Sequence, residues 1–347
     1  MVFSDPLLEE LTIFLSCLAA GFLSYNGTKY AKSWWQRQSS VESDYIPIGV
    51  VKYLHIFPLK SAKGQRVFSL FCDYRGPTVC DTKDREFQLI NGNTGDFYSC
   101  KIKPQLVLAE ARVEHGILHV TIPGKEEILI NKEEVKKRND IRPTIWNQCR
   151  IDAYDCGEEI SKAMSEFLEE DNVRLTMIDD SLYNERVVTS TPDYWKNNTV
   201  PERQDRVRFH NFGAYLIQTE ASLADLNTRA PEPIEQMQLR PVIVIDKCPA
   251  YDEDRWAELK IGDVELQCYR PCGRCPLITV SPTEGKKHEN LQPLRTLRDY
   301  RMAPKGPMLD CFKEKPIFGV LAGIHKNKTG WIHEGQVVYG RYKPSEW

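Results

Sequence analysis

Short strand-like segments separated by turns run through most of this chain, and that pattern limits the folds it can adopt. From residue 47 onward, runs of β-branched and aromatic residues such as 50–57 and 240–245 end at proline, glycine or Asn-Gly turns. Residues 161–168 and 219–228 instead have the apolar spacing of helices. Because short strands outnumber helices and no strand–helix alternation is sustained, the sequence favours a β-barrel over a nucleotide-binding α/β fold.

Other segments complete the predicted organisation of this β-rich region. Residues 105–113 and 117–122 form a predicted hairpin, with Gly116 in the turn. Residues 277–280 are predicted as a strand that directly follows a cysteine-containing loop. The polar stretch 179–208, which contains two prolines, marks a predicted domain boundary or long loop.

The overall composition argues against two classes of protein. The 347-residue chain has a formal net charge of −3, so it lacks the basic field expected of a nucleic-acid-binding protein. Its 11 cysteines are an odd number and are scattered, unlike the paired framework of a secreted disulfide-rich domain. We therefore predict a protein of a reducing compartment that has no nucleic-acid partner.

An apolar run near the amino terminus, residues 11–25, predicts a membrane anchor. Acidic residues precede this run and basic residues follow it, which is unlike a cleavable signal peptide and predicts that the body of the protein faces the cytosol. Residues 33–46 are largely polar and predict a tether, so residues 1–46 form the predicted anchor unit. An amphipathic or core-docked helix is the alternative that the sequence leaves open.

Residues 270–276, with the sequence Arg-Pro-Cys-Gly-Arg-Cys-Pro, carry the strongest chemical signal. Thiolates bind thiophilic metals, and the flanking Arg270 and Arg274 favour the anionic form of a neighbouring thiol. A structural zinc site needs a second cysteine pair, and a thioredoxin-like redox site needs a helix start within a βαβ unit. The sequence shows neither, which weakens both interpretations without removing them. Plain burial of Cys272 and Cys275 is a third interpretation, and a single cysteine ligand to a metal or cofactor is the favoured fourth.

Cationic residues at the ends of predicted strands form a second candidate group. Lys60 and Ser61 follow a strand, and an ammonium group and a hydroxyl there could hold a phosphate or a pterin edge. For these two residues alone, a solvated turn is the simpler interpretation. Arg85 could bind an anion or pair with an acidic neighbour, and Arg240 needs an anion if it enters a buried strand. Trp146 is predicted as a core residue.

Several separate motifs together resemble a known family. Residues 240–275, which include the sequence Ile-Gly-Asp-Val-Glu-Leu and the Cys-Gly-Arg-Cys loop, resemble a MOSC domain. Residues 60–61, 84–85 and 155–157 resemble the β-barrel module that precedes MOSC domains. With the predicted anchor, the chain resembles the family of mitochondrial amidoxime-reducing components, which are MOSC-domain molybdenum enzymes.

The resemblance implies a fold of the α+β class that is mainly β. A MOSC N-terminal β-rich module, of β-barrel type, would occupy residues 47–178, and a MOSC β-barrel domain would occupy residues 179–347. An N-terminal membrane-anchor helix would precede both. In this family the molybdenum cofactor binds between the two β-rich modules.

The resemblance also implies which residues bind this cofactor, Mo-molybdopterin. The second cysteine of the loop is the metal ligand in the family, which gives Cys275 the metal-binding and catalytic role. Asn211 stands where related enzymes carry aspartate, and Val242 and residues 99–101 also depart from the family pattern. The departures at Val242 and residues 99–101 bear on substrate choice more than on cofactor binding. The predicted cofactor-binding residues are Lys60, Ser61, Arg85, Asn211, Arg240, Arg270, Pro271, Cys272, Arg274 and Cys275.

The implied activity is a molybdenum-dependent reduction of N–O bonds in N-hydroxylated compounds such as amidoximes and hydroxylamines. Electrons would come from NADH through cytochrome b5 reductase and cytochrome b5. Residues 11–25 would hold the enzyme on the mitochondrial outer membrane, facing the cytosol, with the peroxisomal or endoplasmic-reticulum membrane as the alternative. Two other functions stay open: a non-enzymatic carrier of molybdenum cofactor, and a sulfur-transfer protein of MOSC type, although the chain encodes no pyridoxal-phosphate desulfurase domain.

Overall fold

Strands make up most of the secondary structure. The computed structural model describes residues 45–146 and 148–347. The strands, numbered along the chain, are β1 (Ile46–Ile56), β2 (Gln65–Val67), β3 (Ser69–Cys72), β4 (Thr78–Val79), β5 (Thr82–Lys83), β6 (Phe87–Asn91), β7 (Glu110–Glu114), β8 (Ile117–Thr121), β9 (Ile128–Asn131), β10 (Ile141–Trp146), β11 (Cys149–Asp155), β12 (Val173–Met177), β13 (Val187–Thr189), β14 (Gln204–Arg206), β15 (Tyr215–Thr219), β16 (Ile243–Asp246), β17 (Trp256–Ile261), β18 (Val264–Gly273), β19 (Ile317–Ile324), β20 (Gly330–His333) and β21 (Val337–Tyr342).

The helices of the described residues are short and lie between or beside the sheets. The α-helices are α1 (Lys132–Arg138), α2 (Glu158–Leu168), α3 (Glu220–Arg229), α4 (Gln236–Leu239), α5 (Leu294–Tyr300) and α6 (Pro307–Phe312). Single 3₁₀ turns occur at Pro104–Leu108, Pro192–Tyr194, Asp252–Asp254 and Pro276–Thr279.

Seven strands close into a barrel in the order β16-β15-β19-β18-β17-β21-β1, and β1 pairs back onto β16. The closing pair is antiparallel, with Leu54 opposite Ile243. Large side chains fill the interior, among them Tyr215, Trp256 and Leu266, and all three are fully buried. Because a closed barrel has no unpaired edge, its backbone hydrogen bonds are satisfied within the sheet.

A second group of strands has its own apolar core. Strands β10, β11, β12 and β6 form an antiparallel sheet in that order, and α2 lies against β12. A three-stranded meander, β7-β8-β9, contributes to the same core. Two smaller sheets, β20-β3-β4-β5 and β13-β14, complete the strand pairing of the described residues.

The mainly β character is confirmed, and so are both predicted helices. Thr219 caps α3, since its hydroxyl accepts a hydrogen bond from the Ser222 amide. The strands predicted at residues 105–113, 277–280 and 240–245 were wrong in part. Pro104–Leu108 and Pro276–Thr279 are 3₁₀ turns, because a proline at the first turn fixes a helical φ and removes a strand donor. Strand β16 begins at Ile243, after Arg240 has ended α4.

Two features of the predicted organisation are not decided by the fold. Contacts group residues 47–347 into one unit, and the boundary between residues 178 and 179 stays a prediction. The predicted anchor at residues 11–25 lies outside the described residues. Within the described residues, no helix has both the length and the apolar character needed to cross a bilayer.

The barrel interior provides a direct test of the core. We expect Leu266→Ala to lower the free energy of unfolding by about 2–5 kcal/mol, because it leaves a cavity in a filled barrel. The measurement is denaturant-induced unfolding. The matched control is Leu129→Ala on β9, where the leucine is 56% exposed, and we expect a change below about 0.5 kcal/mol. Equal losses in the two variants would contradict the assignment of the core.

Candidate functional site

A fully buried carboxylate, Asp84, organises one wall of the site. It accepts a hydrogen bond from the Phe57 amide at 2.7 Å and one from His210 Nε2 at 2.7 Å, and it pairs with Arg85. Burial alone would raise the pKa of Asp84, but Arg85 and His210 outweigh burial and lower that pKa below its usual value. Burial also lowers the pKa of His210 to about 4, so this histidine is neutral at pH 7 and donates from Nε2.

Three of the predicted cofactor residues adopt left-handed backbone conformations. The φ angles are 71° at Ser61, 50° at Arg85 and 57° at Arg240. Side chains other than glycine rarely adopt this region, and such residues concentrate at ligand-binding sites. Arg240 adopts this conformation as the C-cap of α4, just before the chain enters β16.

Aromatic rings support the cations of this wall. Arg85 and Arg240 lie 4.4 Å and 4.3 Å from the centroid of the Phe57 ring. Gly64 allows the ring this position, because a Cβ there would lie 2.2 Å from a Phe57 carbon. Arg240 also donates from Nη1 to the Ala62 carbonyl at 2.6 Å.

Lys60 is 6% exposed and lies deeper in the same site. Its ammonium group donates to the Phe209 carbonyl at 2.6 Å and to Asn211 Oδ1 at 2.8 Å, and lies 3.7 Å from the centroid of the Trp146 ring. Trp146 is therefore a surface for a cation as well as a core residue, which corrects the prediction. Asn211 itself is exposed.

Lys60 has three positive neighbours. Burial first, and then repulsion from Arg186, Arg85 and Arg240, lowers the pKa of Lys60 well below its usual value. We call Lys60, Arg85, Arg186 and Arg240 the cation cluster. Burial also lowers the pKa of Arg186 and that of Arg240 to about 10.

The cysteine loop approaches this cluster from the barrel side. Strand β18 ends at Gly273, and Cys275, which is half-buried, precedes the 3₁₀ turn Pro276–Thr279. Burial raises the pKa of the Cys100 thiol, Arg240 and Ser61 oppose that rise, and Cys275 adds to it. Cys275 and two of the predicted cofactor residues therefore share electrostatic influence on one buried thiol.

The other loop residues have different surroundings. Cys272 lies against the apolar core of the barrel, and Pro271 pairs with β19. Arg274 is buried, and its side chain donates to the Phe318 carbonyl at 2.8 Å and the Leu239 carbonyl at 2.7 Å. Its amide donates to the Pro316 carbonyl at 2.7 Å. The structure therefore does not bring Arg274 into the cation cluster.

Arg270 lies in a cage of aromatic rings. Its guanidinium is 3.9 Å from the Phe212 ring centroid and 4.5 Å from that of Tyr194, whose hydroxyl accepts a hydrogen bond at 2.9 Å. Among the described residues, its buried Nε has no hydrogen-bond partner. Arg270 is thus separate from the cation cluster but next to Asn211 through Phe212.

The described residues offer a metal few ligands of their own. None of their histidine, cysteine, aspartate and glutamate side chains gather in a group of three or more that could hold an ion. All ten cysteines between residues 45 and 347 are free thiols. A four-ligand zinc site is therefore not formed by this part of the chain.

Comparison with known proteins identifies the family. The model of the MOSC N-terminal beta barrel domain matches residues 48–171, and that of the MOSC domain matches residues 204–339. Mitochondrial amidoxime-reducing component 1 of Danio rerio is 33% identical over 305 residues, which are 86% of each chain. Mitochondrial amidoxime reducing component 2 of Bos taurus is 30% identical over 84% of this chain and 83% of the relative. The human component 2 is 28% identical over 94% and 92%. This chain belongs to the MOSC-domain family of amidoxime-reducing components.

The sequence analysis did not identify three residues of the site, Trp146, Arg186 and Cys100. Arg186 and Trp146 supply a cation and its aromatic support, and Cys100 is a buried thiol under the electrostatic influence of Arg240, Ser61 and Cys275. Arg186 falls in the polar stretch 179–208, where no periodicity distinguishes a buried arginine from exposed ones. The proximity of Cys100 is a tertiary contact, although its place in a run that departs from the family pattern was a usable signal.

The buried His210 predicts a pH dependence of stability. Its pKa is about 4 in the folded chain and about 6.5 when unfolded. Between those values only the unfolded chain takes up the proton, so the free energy of unfolding falls as pH drops from about 6.5 to about 4. We expect His210→Asn to flatten this fall by up to about 3 kcal/mol in denaturant titrations at several pH values.

The exposed His115 provides the matched control, and His115→Asn should leave the pH profile of the wild-type chain unchanged. A buried His55, whose pKa burial also lowers to about 4, is present in all three proteins and does not affect the comparison. An equally steep profile in His210→Asn would contradict the assigned neutral state of His210.

Proposed function

We propose that this chain is a molybdenum-cofactor-dependent reductase of N-hydroxylated compounds, such as amidoximes and hydroxylamines. One observation carries the proposal: the half-buried Cys275 and two members of the cation cluster, Lys60 and Arg240, all interact electrostatically with one buried thiol, Cys100. The names of the relatives, which describe amidoxime reduction, support the same class of reaction.

The donor set fits an anionic cofactor that brings most of the metal's ligands with it. Lys60 and Arg240 donate to carbonyl and amide oxygens and have no ion-pair partner among the described residues. An anion would therefore relieve their mutual repulsion. The chain offers a soft sulfur ligand at Cys275 but no group of three metal ligands within residues 45–146 and 148–347. A molybdenum–pterin, with its own sulfur ligands and a phosphate, meets both conditions.

Each part of the site would have a separate task. The Cys275 sulfur would bind the metal, and Lys60, Ser61, Arg85 and Arg240 would hold the anionic pterin. When bound, the cofactor supplies a molybdenum centre that can deliver two electrons to an N–O bond. Cys275 is only half-buried, so a substrate could reach the metal that it would bind.

The charge states of Asp84 and His210 indicate where the protons of the reaction come from. Cleavage of the N–O bond in a hydroxylamine consumes two protons and two electrons and gives an amine and water. Asp84 stays ionised because Arg85 and His210 lower its pKa, and His210 is neutral at pH 7 because burial lowers its pKa to about 4. Neither side chain is therefore suited to donate these protons, and we assign them to solvent.

We also propose redox partners and a location for the enzyme. Electrons would come from NADH through cytochrome b5 reductase and cytochrome b5. Residues 11–25 would attach the chain to the mitochondrial outer membrane, with the body facing the cytosol. The word mitochondrial in the relatives' names and the basic residues after the apolar run support this location.

The test compares two cysteines of one loop. We expect Cys275→Ala to lower the molybdenum content of the purified chain at least about ten-fold. Removing only a residue that hydrogen-bonds to a metal ligand already lowers metal affinity by about ten-fold, and this substitution removes the ligand itself. Its reduction of benzamidoxime with NADH, cytochrome b5 and the reductase should disappear. Metal analysis, pterin fluorescence and an amidine assay give the readouts.

Cys272→Ala is the matched control, because this cysteine lies against the barrel core. It should lose much less molybdenum and activity than Cys275→Ala, with a stability loss of about 1 kcal/mol. If wild-type protein binds molybdenum but reduces no N-hydroxylated compound, a cofactor carrier replaces the reductase. If a folded preparation from a host that makes the cofactor contains no molybdenum, the proposal is wrong.

A further inference from the structure

Arg186 is the buried residue of the cation cluster for which the proposed function gives no role. It is 5% exposed, and its guanidinium lies 4.2 Å from the Trp146 ring centroid. Nη2 donates to the Asn211 carbonyl. Within residues 45–146 and 148–347, Nη1 is buried and has no hydrogen-bond partner. A buried donor without an acceptor destabilises the folded chain, and a ligand that accepts a hydrogen bond from Nη1 would offset this cost.

Lys60 and Arg186 share two supports. Both cations lie near the Trp146 ring, at 3.7 Å and 4.2 Å from its centroid. Both also bind Asn211, Lys60 through the side-chain oxygen and Arg186 through the carbonyl. An ammonium group has three N–H donors, and Lys60 directs two of them at the Phe209 carbonyl and Asn211. One donor of Lys60 and Nη1 of Arg186 are therefore left for a ligand.

The charges around this pair call for an anion of more than one charge. Arg85 is neutralised by Asp84, but Lys60 and Arg186 have no ion-pair partner among the described residues. Two cations that share Trp146 and Asn211 and rest on neutral acceptors match a phosphate monoester, which carries nearly two negative charges and three acceptor oxygens. A carboxylate has one charge and would leave part of the repulsion between the cations uncompensated.

We propose that Arg186 and Lys60, held over Trp146 and Asn211, form a binding point for a phosphate monoester, which in the loaded protein is the terminal phosphate of the pterin cofactor. The inference rests on the proposed function for the identity of the ligand but not for its chemistry. Arg186 would contribute through Nη1, and its loss should weaken phosphate binding while Cys275 still binds the metal.

The first experiment uses full-length chain made in a host that cannot make pterin cofactor, with inorganic phosphate as the probe. Phosphate should raise the melting temperature of the wild-type chain in a concentration-dependent way, because it binds only the folded state. We expect Arg186→Gln to weaken the apparent affinity for phosphate about ten-fold, which is the worth of one charge-assisted hydrogen bond. Arg186→Lys, which keeps the charge, should lose less.

Arg208→Gln is the matched control. Arg208 is also buried and donates to a carbonyl, that of Gly76. Unlike Arg186 it faces carboxylates: burial lowers its pKa, while Glu86 and Asp73 raise it. Its loss should reduce stability without changing the affinity for phosphate.

The second experiment follows cofactor retention in the loaded full-length chain. Release of pterin during dialysis should be about ten-fold faster from Arg186→Gln than from wild type, and unchanged in Arg208→Gln. Phosphate protection together with normal retention would make the site one for free phosphate and not for the cofactor. A folded Arg186→Gln that matches wild type in both readouts would overturn the inference. If that variant does not fold, an Arg186→Lys variant equal to wild type does the same.

A chain that binds phosphate at Arg186 but contains no molybdenum would refute the proposed function and leave the phosphate site intact. The reverse result, normal molybdenum with no dependence on Arg186, would refute only the inference.

Discussion

Buried positive charge is the constraint on which this site depends. Lys60 and Arg186 are buried and Arg240 is half-buried, and all three rest on carbonyl oxygens, an amide oxygen or aromatic rings, with no ion-pair partner among the described residues. Such an arrangement costs free energy in the folded chain, because burial and mutual repulsion both oppose the charged forms. The one buried carboxylate of this wall, Asp84, is already committed to Arg85 and His210. An anionic ligand therefore finds a site whose charge and donors are already oriented.

The barrel makes this arrangement possible by bringing distant parts of the sequence to one place. The end of β1 leads to Phe57 and Lys60, the start of β16 follows Arg240, and the end of β18 leads to Cys275. A closed barrel resists deformation because every strand is paired on both sides. Its rigidity helps to hold Arg240, which leads into β16, in a left-handed conformation that a mobile loop would relax.

The sequence predicted the β-rich fold and both helices, because alternation and apolar spacing are local signals. The prediction from sequence failed where a single proline overrode the composition of a segment, or where the surroundings of a side chain depend on the tertiary fold. Residues 277–280 look like a strand by composition, but Pro276 starts a 3₁₀ turn there. The aromatic character of Trp146 predicted burial correctly and missed that cations would lie on its ring. Arg186 could not be found, since an arginine in a polar stretch is normally solvated, and only the fold shows that it is buried.

Asn211 and its neighbours connect the two sides of the site. Asn211 binds Lys60 and Arg186, while the next residue, Phe212, covers the guanidinium of Arg270. Gly213 allows the tight course that follows, because a Cβ there would lie 2.3 Å from the Tyr269 hydroxyl oxygen. Residues 211–213 are therefore fixed on both sides. A shift of Asn211 would also move Phe212 and disturb the aromatic cage of Arg270. Because Asn211 holds both Lys60 and Arg186, the identity of residue 211 sets where these two cations lie, and a change there would alter the binding of an anionic ligand.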